Sequence, residues 1–274
     1  MGNCFRMLAL LLLAVGFQMP LAAEAAVGIG TEKVIVGSEA IDVMVYKKWS
    51  EKPQPMIVIN HGGSTESELQ MGFRAFNFDA QATFLAEQGY VVVMPTRRGY
   101  GRSLSKYQEW DFKRYNPRQA VENGAQDVLA TIAHMKQKEY VDKNKIVVAG
   151  YSFGGFISVC IGAKQLDGVV GVISFAGGAR SSSGGVFDAS NAGPLFACYK
   201  EFGKTTKVPE LWIYTKGDDW YPGDFVQGMQ KGFSSAGGKV NVVTFDGPHD
   251  FFLRPATIGI WWKQVGPYLK SIGL

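Results

Sequence analysis

The chain has 274 residues, of which 46% are hydrophobic and 19% are charged. A chain of this length can bury a full hydrophobic core, and the composition is that of a globular protein rather than a disordered or fibrous one. The net charge of +4 is small, and no run of basic residues is longer than two. A weak and scattered positive charge of this kind does not indicate a nucleic-acid-binding protein.

The first 25 residues differ in character from the rest of the chain. Arg6 precedes an apolar stretch over residues 7–17, and alanines follow at positions 22, 23, 25 and 26. This order is typical of a secretory signal peptide, and the apolar stretch is short for a membrane-spanning helix. We expect residues 1–25 to be removed and residues 26–274 to form one periplasmic or secreted domain, without stable membrane insertion after cleavage. An uncleaved membrane anchor is the alternative.

The hydrophobic pattern predicts an antiparallel hairpin at a sheet edge, followed by short, uniformly apolar strands that alternate with helices. This alternation is typical of an α/β fold, with a mostly parallel sheet covered by helices on both faces. The predicted strands, about eight in number, are residues 32–37, 40–48, 56–59, 90–94, 146–149, 168–175, 210–215 and 240–245. The predicted helices are residues 79–88, 116–137, 156–163, 225–234 and 257–270. We expect residues 176–207, which are rich in glycine and serine, to form an irregular loop over the site with a short helical piece.

A serine lies at the junction of one predicted strand with the helix that follows it. The sequence Gly-Tyr-Ser-Phe-Gly occupies residues 150–154, directly after the apolar residues 146–149. A sharp strand-to-helix turn needs glycine two residues before and two residues after the serine, because the neighbouring backbones pass close there. Such a turn would project Ser152 above the carboxyl ends of the strands as a nucleophile. A glycine-rich turn with an inert serine is the alternative.

A serine nucleophile needs a general base, and the chain offers only three histidines. His134 falls on a predicted helix remote from any strand end, and His61 sits beside two glycines that suggest a backbone role. His249 follows the last predicted strand and can therefore reach the same edge of the sheet as Ser152. The carboxylate that orients this histidine would be Asp218 or Asp219, which follow the preceding strand. Asp246 and Asp250 are weaker candidates, because carboxylates beside a turn often cap it.

The order serine, aspartate, histidine is that of α/β-hydrolases. The chain resembles the dienelactone hydrolase-like α/β-hydrolases, whose catalytic domain is shared by the prolyl oligopeptidase-like enzymes. Five segments carry the resemblance, which spans residues 56–270. They are H-G-G at 61–63, R-G-Y-G-R-S at 98–103, G-Y-S-F-G at 150–154, the region of Asp218, and D-G-P-H at 246–249. Dienelactone hydrolase proper uses a cysteine nucleophile, so the serine here favours an esterase or an acyl-peptide hydrolase.

The resemblance also suggests roles for residues around the nucleophile. The acid of this family commonly lies four positions before a proline, which fits Asp218 and not Asp219. The oxyanion hole would use the backbone N–H groups of Phe153 and Gly63. His61, Tyr151 and Arg98 are candidate substrate-binding residues. For Arg98 the alternative is a structural role that holds its loop.

Three further expectations concern cofactors, cysteines and the wall of the site. No cluster of cysteine and histidine suggests a metal, and we expect neither a metal nor an organic cofactor. Cys160 and Cys198 could pair in an exported protein, although Cys160 more simply serves as a small core residue. Phe187 and Phe196 are candidate walls of the substrate site.

The sequence therefore predicts an exported serine hydrolase, most simply a carboxylesterase, in which Ser152, His249 and Asp218 form the triad. Its partner would be a small-molecule ester or peptide substrate, with no nucleic acid involved, and the sequence does not predict the oligomeric state. Two alternatives remain open, namely a peptidase of the prolyl oligopeptidase type and a non-catalytic binding protein on the same fold. Esterase is favoured over peptidase because the sequence shows no propeller-like repeats before the catalytic region.

Overall fold

The computed structural model of the chain describes residues 26–63, 78–103, 105, 109, 116–179 and 192–274. The predicted signal peptide and Phe187 lie outside the described residues. Eight strands form one sheet in the order β1-β2-β4-β3-β5-β6-β7-β8. They are β1 Gly28–Val36, β2 Glu39–Lys47, β3 Gln54–Asn60, β4 Val91–Pro95, β5 Val141–Tyr151, β6 Val169–Phe175, β7 Glu210–Thr215 and β8 Val240–Phe245.

The first two strands are antiparallel to their neighbours, and the remaining neighbouring pairs are parallel. The helices of the described residues are α1 Asp79–Glu87, α2 Pro117–Met135, α3 Phe153–Gly162, α4 Ala192–Thr205, α5 Gly223–Ser235 and α6 Ile258–Ser271. Two 3₁₀ turns, His249–Leu253 and Pro255–Thr257, lie between β8 and α6. The prediction of a mostly parallel sheet of about eight strands with helices is confirmed.

The chain reverses its direction across the sheet beside β3, and this reversal places the site. From β3 the chain moves through α1 to β4, toward the β1 edge. From β4 it returns past β3 to β5 and then proceeds strand by strand toward β8. Right-handed crossovers that run in opposite directions lie on opposite faces of a sheet, so the segments that leave β3 and β5 diverge. A crevice therefore opens beyond the carboxyl ends of these two neighbouring strands, where α/β proteins bind their ligands.

The two helical layers are held by different residues. On one face, the Phe84 ring of α1 packs edge-on against Trp261 and Trp262 of α6. On the other face, α3 is buried along its whole length between the sheet and its neighbouring helices. The strand β4, residues 56–60 of β3 and residues 146–151 of β5 are buried because both faces of the sheet are covered there. No helix among the described residues has the length and apolar composition needed to cross a bilayer.

The stretch over residues 176–207 differs from the prediction. Where the structure describes this stretch, it contains the fourteen-residue helix α4 rather than a short helical piece. Its buried residues include Leu195, Cys198, Tyr199 and Phe202, whose spacing of three and four is that of an amphipathic helix. Glycines at 193 and 203 weaken the local preference for helix, and burial of the apolar face overrides it. The helix α3 also begins earlier than predicted, at Phe153, directly after Ser152.

The structure also bears on the possible Cys160–Cys198 disulfide and on the role of His134. Cys160 and Cys198 are both buried free thiols, so they do not form the disulfide considered above. Burial raises the pKa of the Cys160 thiol to about 12, which makes it unreactive at neutral pH. His134 lies on α2 with its Nε2 atom 2.6 Å from a carboxylate oxygen of Glu32, remote from the serine turn. Its role is therefore structural.

A buried glutamate lies at the first residue of β7. The Trp212 indole N–H donates to Glu210 Oε2 at 2.7 Å, and Glu210 Oε1 has no hydrogen-bond partner within the described part of the chain. Burial raises the pKa of this carboxyl well above its ordinary value. The folded protein therefore holds a proton on Glu210 at pH values where the unfolded chain has released it. Stability linked to this group is fully present below about pH 4.5 and is lost as pH rises toward the folded-state pKa.

We predict that Glu210→Gln makes the protein more stable than the wild type at pH 7–8, because glutamine mimics the protonated carboxyl and cannot ionise. The free energy of unfolding from urea titrations at pH 5, 7 and 8.5 should show a difference between the two proteins that grows with pH. Glu201→Gln is the matched control, because Glu201 is exposed on α4. A constant difference across this pH range would contradict the assignment.

Candidate active site

Ser152 lies in a strained turn between β5 and α3. Its backbone adopts φ 55° and ψ −123°, in the positive-φ region that side-chain-bearing residues rarely occupy. The turn is held on both sides by backbone hydrogen bonds. Ser152 N–H donates to Phe175 O at 2.8 Å, and Gly178 N–H donates to Ser152 O at 3.2 Å. Surrounding structure of this kind is what allows a strained residue to persist at a functional site.

The two glycines flanking Ser152 allow backbones to touch. A Cβ added at Gly150 would lie 2.2 Å from Gly154 O, and one added at Gly154 would lie 2.3 Å from the carbonyl oxygens of both Asn60 and His61. No side chain fits at these distances, and the clashing atoms are backbone that cannot move aside. Glycine at 154 therefore lets the turn pack directly against the loop that follows β3.

The structure brings Ser152, His249 and Asp218 together. His249 Nε2 lies 3.1 Å from Ser152 Oγ, and His249 Nδ1 lies 2.8 Å from Asp218 Oδ2. In the neutral tautomer that this arrangement favours, Nδ1–H donates to the carboxylate and Nε2 accepts from the serine hydroxyl. This is the geometry in which a histidine removes the hydroxyl proton and a buried carboxylate stabilises the resulting imidazolium.

Asp218 is fixed by the chain on both sides of it. Its side chain is fully buried, and Oδ1 accepts hydrogen bonds from the backbone N–H groups of Trp220 at 2.8 Å and Tyr221 at 3.1 Å. Asp219, the alternative acid, is exposed to solvent. The two weaker candidates form ion pairs elsewhere, Asp246 with Lys216 at 3.0 Å and Asp250 with Arg254 at 2.9 Å. The geometry thus selects Asp218 from the four carboxylates considered.

The expected oxyanion donors also lie beside the nucleophile. Phe153 is the first residue of α3, and an N–H in the first turn of a helix has no acceptor within the helix. Gly63 lies over it, since a Cβ added at Gly63 would be 3.1 Å from Phe153 Cβ. The backbone of the loop after β3 therefore passes next to the serine turn, as the oxyanion role requires. That role remains a prediction for both residues.

The expectation that His61 binds substrate is wrong for its side chain. The imidazole is buried, with Nδ1 2.7 Å from Gly62 O and Nε2 accepting from Arg97 N–H at 3.1 Å. Both ring nitrogens are therefore bonded to backbone. Burial and the Arg97 charge hold the pKa of this ring well below its ordinary value, so the imidazole is neutral. His61 thus shapes the loop that carries Gly63.

The Arg97 side chain hydrogen-bonds to the backbone of the same loop. Its guanidinium is completely buried, and it donates to His61 O at 2.7 Å and to Gly62 O at 2.9 Å. Glu109 neutralises it, with Arg97 Nε 2.8 Å from Glu109 Oε2. The Tyr100 hydroxyl also donates to Glu109. Sequence reasoning missed this cluster, because nothing in the local pattern shows that a doubled arginine turns one side chain inward.

Arg98, also predicted to bind substrate, is engaged elsewhere. Its Nε lies 2.7 Å from Asp127 Oδ1 on α2, and its backbone N–H donates to Asp127 Oδ2 at 2.5 Å. The side chain is 9% exposed and reaches Glu39 on β2 as well. The substrate-binding expectation is therefore corrected to the structural alternative, because the guanidinium joins α2 and β2.

The third predicted substrate-binding residue lies against the triad. The Tyr151 ring centroid is 5.0 Å from that of His249, and the side chain is nearly buried. Its contact with substrate stays a prediction. Phe196 packs against Phe225 on α5, which stacks on Tyr221 next to His249, so this predicted wall residue lies two rings away from the triad. Within the described ranges, no group of three or more His, Cys, Asp or Glu side chains converges as a metal site would.

Comparison with known proteins agrees with this geometry. Residues 76–174, which include Ser152, match the model of the prolyl oligopeptidase family. A bifunctional esterase/perhydrolase of Acinetobacter calcoaceticus is 29% identical over 121 residues, which cover 44% of this chain and 35% of that protein. Dipeptidyl-peptidase 5 of Porphyromonas gingivalis is 32% identical over 108 residues, which cover 38% of this chain and 14% of that protein. The matches thus span about a third or less of these curated relatives.

A solved structure extends the likeness to nearly the whole chain. A protein from Klebsiella pneumoniae assigned as a dienelactone hydrolase superposes with a TM-score of 0.67 at 14% sequence identity. The superposition covers 89% of this chain and 99% of that one. At this identity the likeness establishes a shared fold.

We predict that Arg97→Lys destabilises the protein by about 1–3 kcal/mol, because lysine keeps the charge opposite Glu109 but leaves buried hydrogen-bonding groups unsatisfied. Lysine cannot reach two carbonyl oxygens and a carboxylate at once, so the loop after β3 should also lose its position. Chemical denaturation measures the stability. Arg118→Lys is the matched control, since the Arg118 side chain is 51% exposed in its pair with Glu122. An equal effect in the two variants would contradict the role given to Arg97.

The sheet topology, the strained serine turn, the Ser152–His249–Asp218 contacts and the family match point to one class of protein. The chain has the α/β-hydrolase fold, and its residues 76–174 are similar to the prolyl oligopeptidase family.

Proposed function

We propose that the chain is an exported serine hydrolase that cleaves carboxylic esters through an acyl-enzyme. The observation that carries the proposal is the continuous hydrogen-bond path from Ser152 Oγ through the His249 ring to Asp218, at 3.1 and 2.8 Å. Export is supported by the sequence features of residues 1–25, namely Arg6, the short apolar stretch and the alanines that follow.

In the first half of the reaction, Ser152 Oγ attacks the ester carbonyl carbon while His249 Nε2 takes the hydroxyl proton. The carbonyl oxygen becomes an oxyanion, which the N–H groups of Phe153 and Gly63 stabilise. The imidazolium keeps its Nδ1–H bond to Asp218. It then gives its Nε2 proton to the alcohol oxygen as the carbon–oxygen bond breaks, leaving the acyl group on Ser152.

In the second half of the reaction, water is the nucleophile and Ser152 Oγ is the leaving group. His249 Nε2 takes a proton from water as the water oxygen attacks the acyl carbon. Collapse of the second tetrahedral intermediate releases the carboxylic acid, and His249 returns its proton to Ser152 Oγ. The two bonds that Asp218 Oδ1 accepts from the backbone keep the carboxylate aimed at Nδ1 through both halves.

Ester hydrolysis is favoured over peptide hydrolysis by the extent of the matches. The sequence match covers 35% of the Acinetobacter esterase/perhydrolase and 14% of the Porphyromonas peptidase. The Acinetobacter relative carries esterase in its name. The second candidate function, a serine peptidase, is favoured by the match to the prolyl oligopeptidase family over residues 76–174.

We predict that the purified protein hydrolyses p-nitrophenyl acyl esters faster than aminoacyl-p-nitroanilides and that a fluorophosphonate labels it. Ser152→Ala should abolish both labelling and ester turnover, because the nucleophile is lost. Ser235→Ala is the matched control, since Ser235 is exposed at the end of α5 and its hydroxyl donates to Gly232 O, away from the triad.

Each outcome of this experiment has a distinct meaning. Absence of labelling in the wild type, or equal labelling of Ser152→Ala, would refute the serine hydrolase. Labelling combined with faster turnover of the anilides would refute the esterase and support the peptidase.

We further predict that Asp218→Asn lowers kcat/KM for a p-nitrophenyl ester on the order of a thousandfold or more, because asparagine favours the wrong tautomer of His249. Asp219→Asn should stay within about twofold of the wild type, as expected for an exposed carboxylate away from the reacting atoms. Thermal melting of both variants shows whether they are folded. Equal activity of two folded variants would overturn the assignment of Asp218.

A further inference from the structure

Aromatic rings surround the histidine of the triad. The ring centroids of Tyr151, Trp220 and Tyr221 lie 5.0, 5.6 and 5.6 Å from that of His249. Their planes are inclined to the imidazole by 44°, 25° and 56°, so Trp220 is the ring most nearly parallel to it. The indole therefore presents its π-face to the imidazole.

Trp220 differs from the two tyrosines in exposure. Tyr151 and Tyr221 are nearly buried, at 6% and 1%, whereas Trp220 is 41% exposed and ranks among the few large apolar side chains that the described residues leave at the surface. A side chain with this exposure gains only part of the stabilisation that full burial would give. A ring stacked on the triad histidine accounts for a tryptophan at this place.

The backbone and the ring of Trp220 make different contacts. Its N–H donates to Asp218 Oδ1 at 2.8 Å, which any residue at this position can do. A side-chain substitution therefore removes the stacked ring and leaves the carboxylate in place. The charged groups near His249 also stay, namely the bonded Asp218 and the Asp250–Arg254 pair on the following turn. Burial together with the Asp218 and Asp250 charges raises the pKa of Tyr151, so that phenol remains neutral.

A stacked indole has a different effect on the two forms of imidazole. An aromatic face attracts a cation, and tryptophan does so most strongly among the aromatic side chains. The imidazolium appears when Ser152 attacks and disappears when the proton leaves, so an interaction with the cation favours the transition state over the resting state. The parallel ring also restricts the plane in which Nε2 can point.

We propose that Trp220 is a positioning residue that acts through His249, fixing the plane of the imidazole and stabilising its protonated form during catalysis. This inference rests on the proposed serine hydrolase function. It assigns no contact between Trp220 and substrate.

The test is the pH dependence of fluorophosphonate labelling and of p-nitrophenyl acetate turnover in Trp220→Leu and Trp220→Phe. Leucine keeps apolar bulk without a π-face, and kcat should fall about tenfold with KM nearly unchanged. Its acidic limb should also move to lower pH by about half a unit to one unit, because a less stabilised imidazolium loses its proton sooner. Phenylalanine restores a π-face and should recover most of both effects.

Trp49→Leu is the matched control, because Trp49 is 70% exposed, and it should leave rate and pH profile unchanged. A Trp220→Leu protein with wild-type rate and pH profile would overturn the inference while leaving the triad intact. A rise in KM without a shift of the acidic limb would also overturn it and make Trp220 a substrate wall. Failure of the wild type itself to label would instead refute the proposed function.

Discussion

The site depends on the contact between two backbones at Gly154. The α-carbon of this glycine packs against the carbonyl oxygens of Asn60 and His61, at a distance that leaves no room for a side chain. This contact joins the end of β3 to the start of α3, the helix that follows β5, and β3 and β5 are the neighbouring strands beside which the chain reverses its direction across the sheet. The nucleophile and the loop that carries Gly63 are thereby brought together, and the strained conformation of Ser152 is supported from both sides.

A buried ion pair fixes the position of the loop after β3. The Arg97 guanidinium binds two carbonyl oxygens of the loop after β3, and its charge is matched by Glu109. A charge this deeply buried is tolerable only when it is fully hydrogen-bonded. Movement of the loop would leave either the cation or the carbonyl groups unpaired, so the loop has one strongly preferred position. The neutral ring of His61 adds two more bonds to the same loop.

The family match and the whole-chain structural likeness bear on different questions. The match over residues 76–174 includes the nucleophile and ends at the strand beside it, so it says little of the carboxylate and base that follow. Those two residues are connected to Ser152 only through the folded geometry. Two of the aromatic residues around His249, Trp220 and Tyr221, also lie in this later part of the chain, whereas Tyr151 lies inside the matched region. The match to the nucleophile region therefore carries no information about the residues that follow β6, including His249 and Asp218.

The sequence by itself determined the fold class and predicted the nucleophile and the base of the triad, while its choice of Asp218 as the acid rested on the family resemblance. Alternating apolar strands and helices predict a parallel sheet. Asp218 and His249 follow the ends of β7 and β8 by a few residues, which places both at the edge of the sheet where ligands bind. These are local properties of the chain, because strand period, glycine spacing and the position of a residue after a strand can all be counted along it.

Only the tertiary structure decided the roles of polar side chains that turn inward or outward. Arg98 and His61 were expected at the substrate and instead hold loops, while Arg97 and Glu109 carried no local signal. The length of helix α4 was underestimated, because its apolar face gains stability only when it packs on the neighbouring elements. The stacking of Trp220 on His249 joins residues from two loops. Partners in an ion pair or a ring stack are set by long-range packing, which the order of residues along the chain does not encode locally.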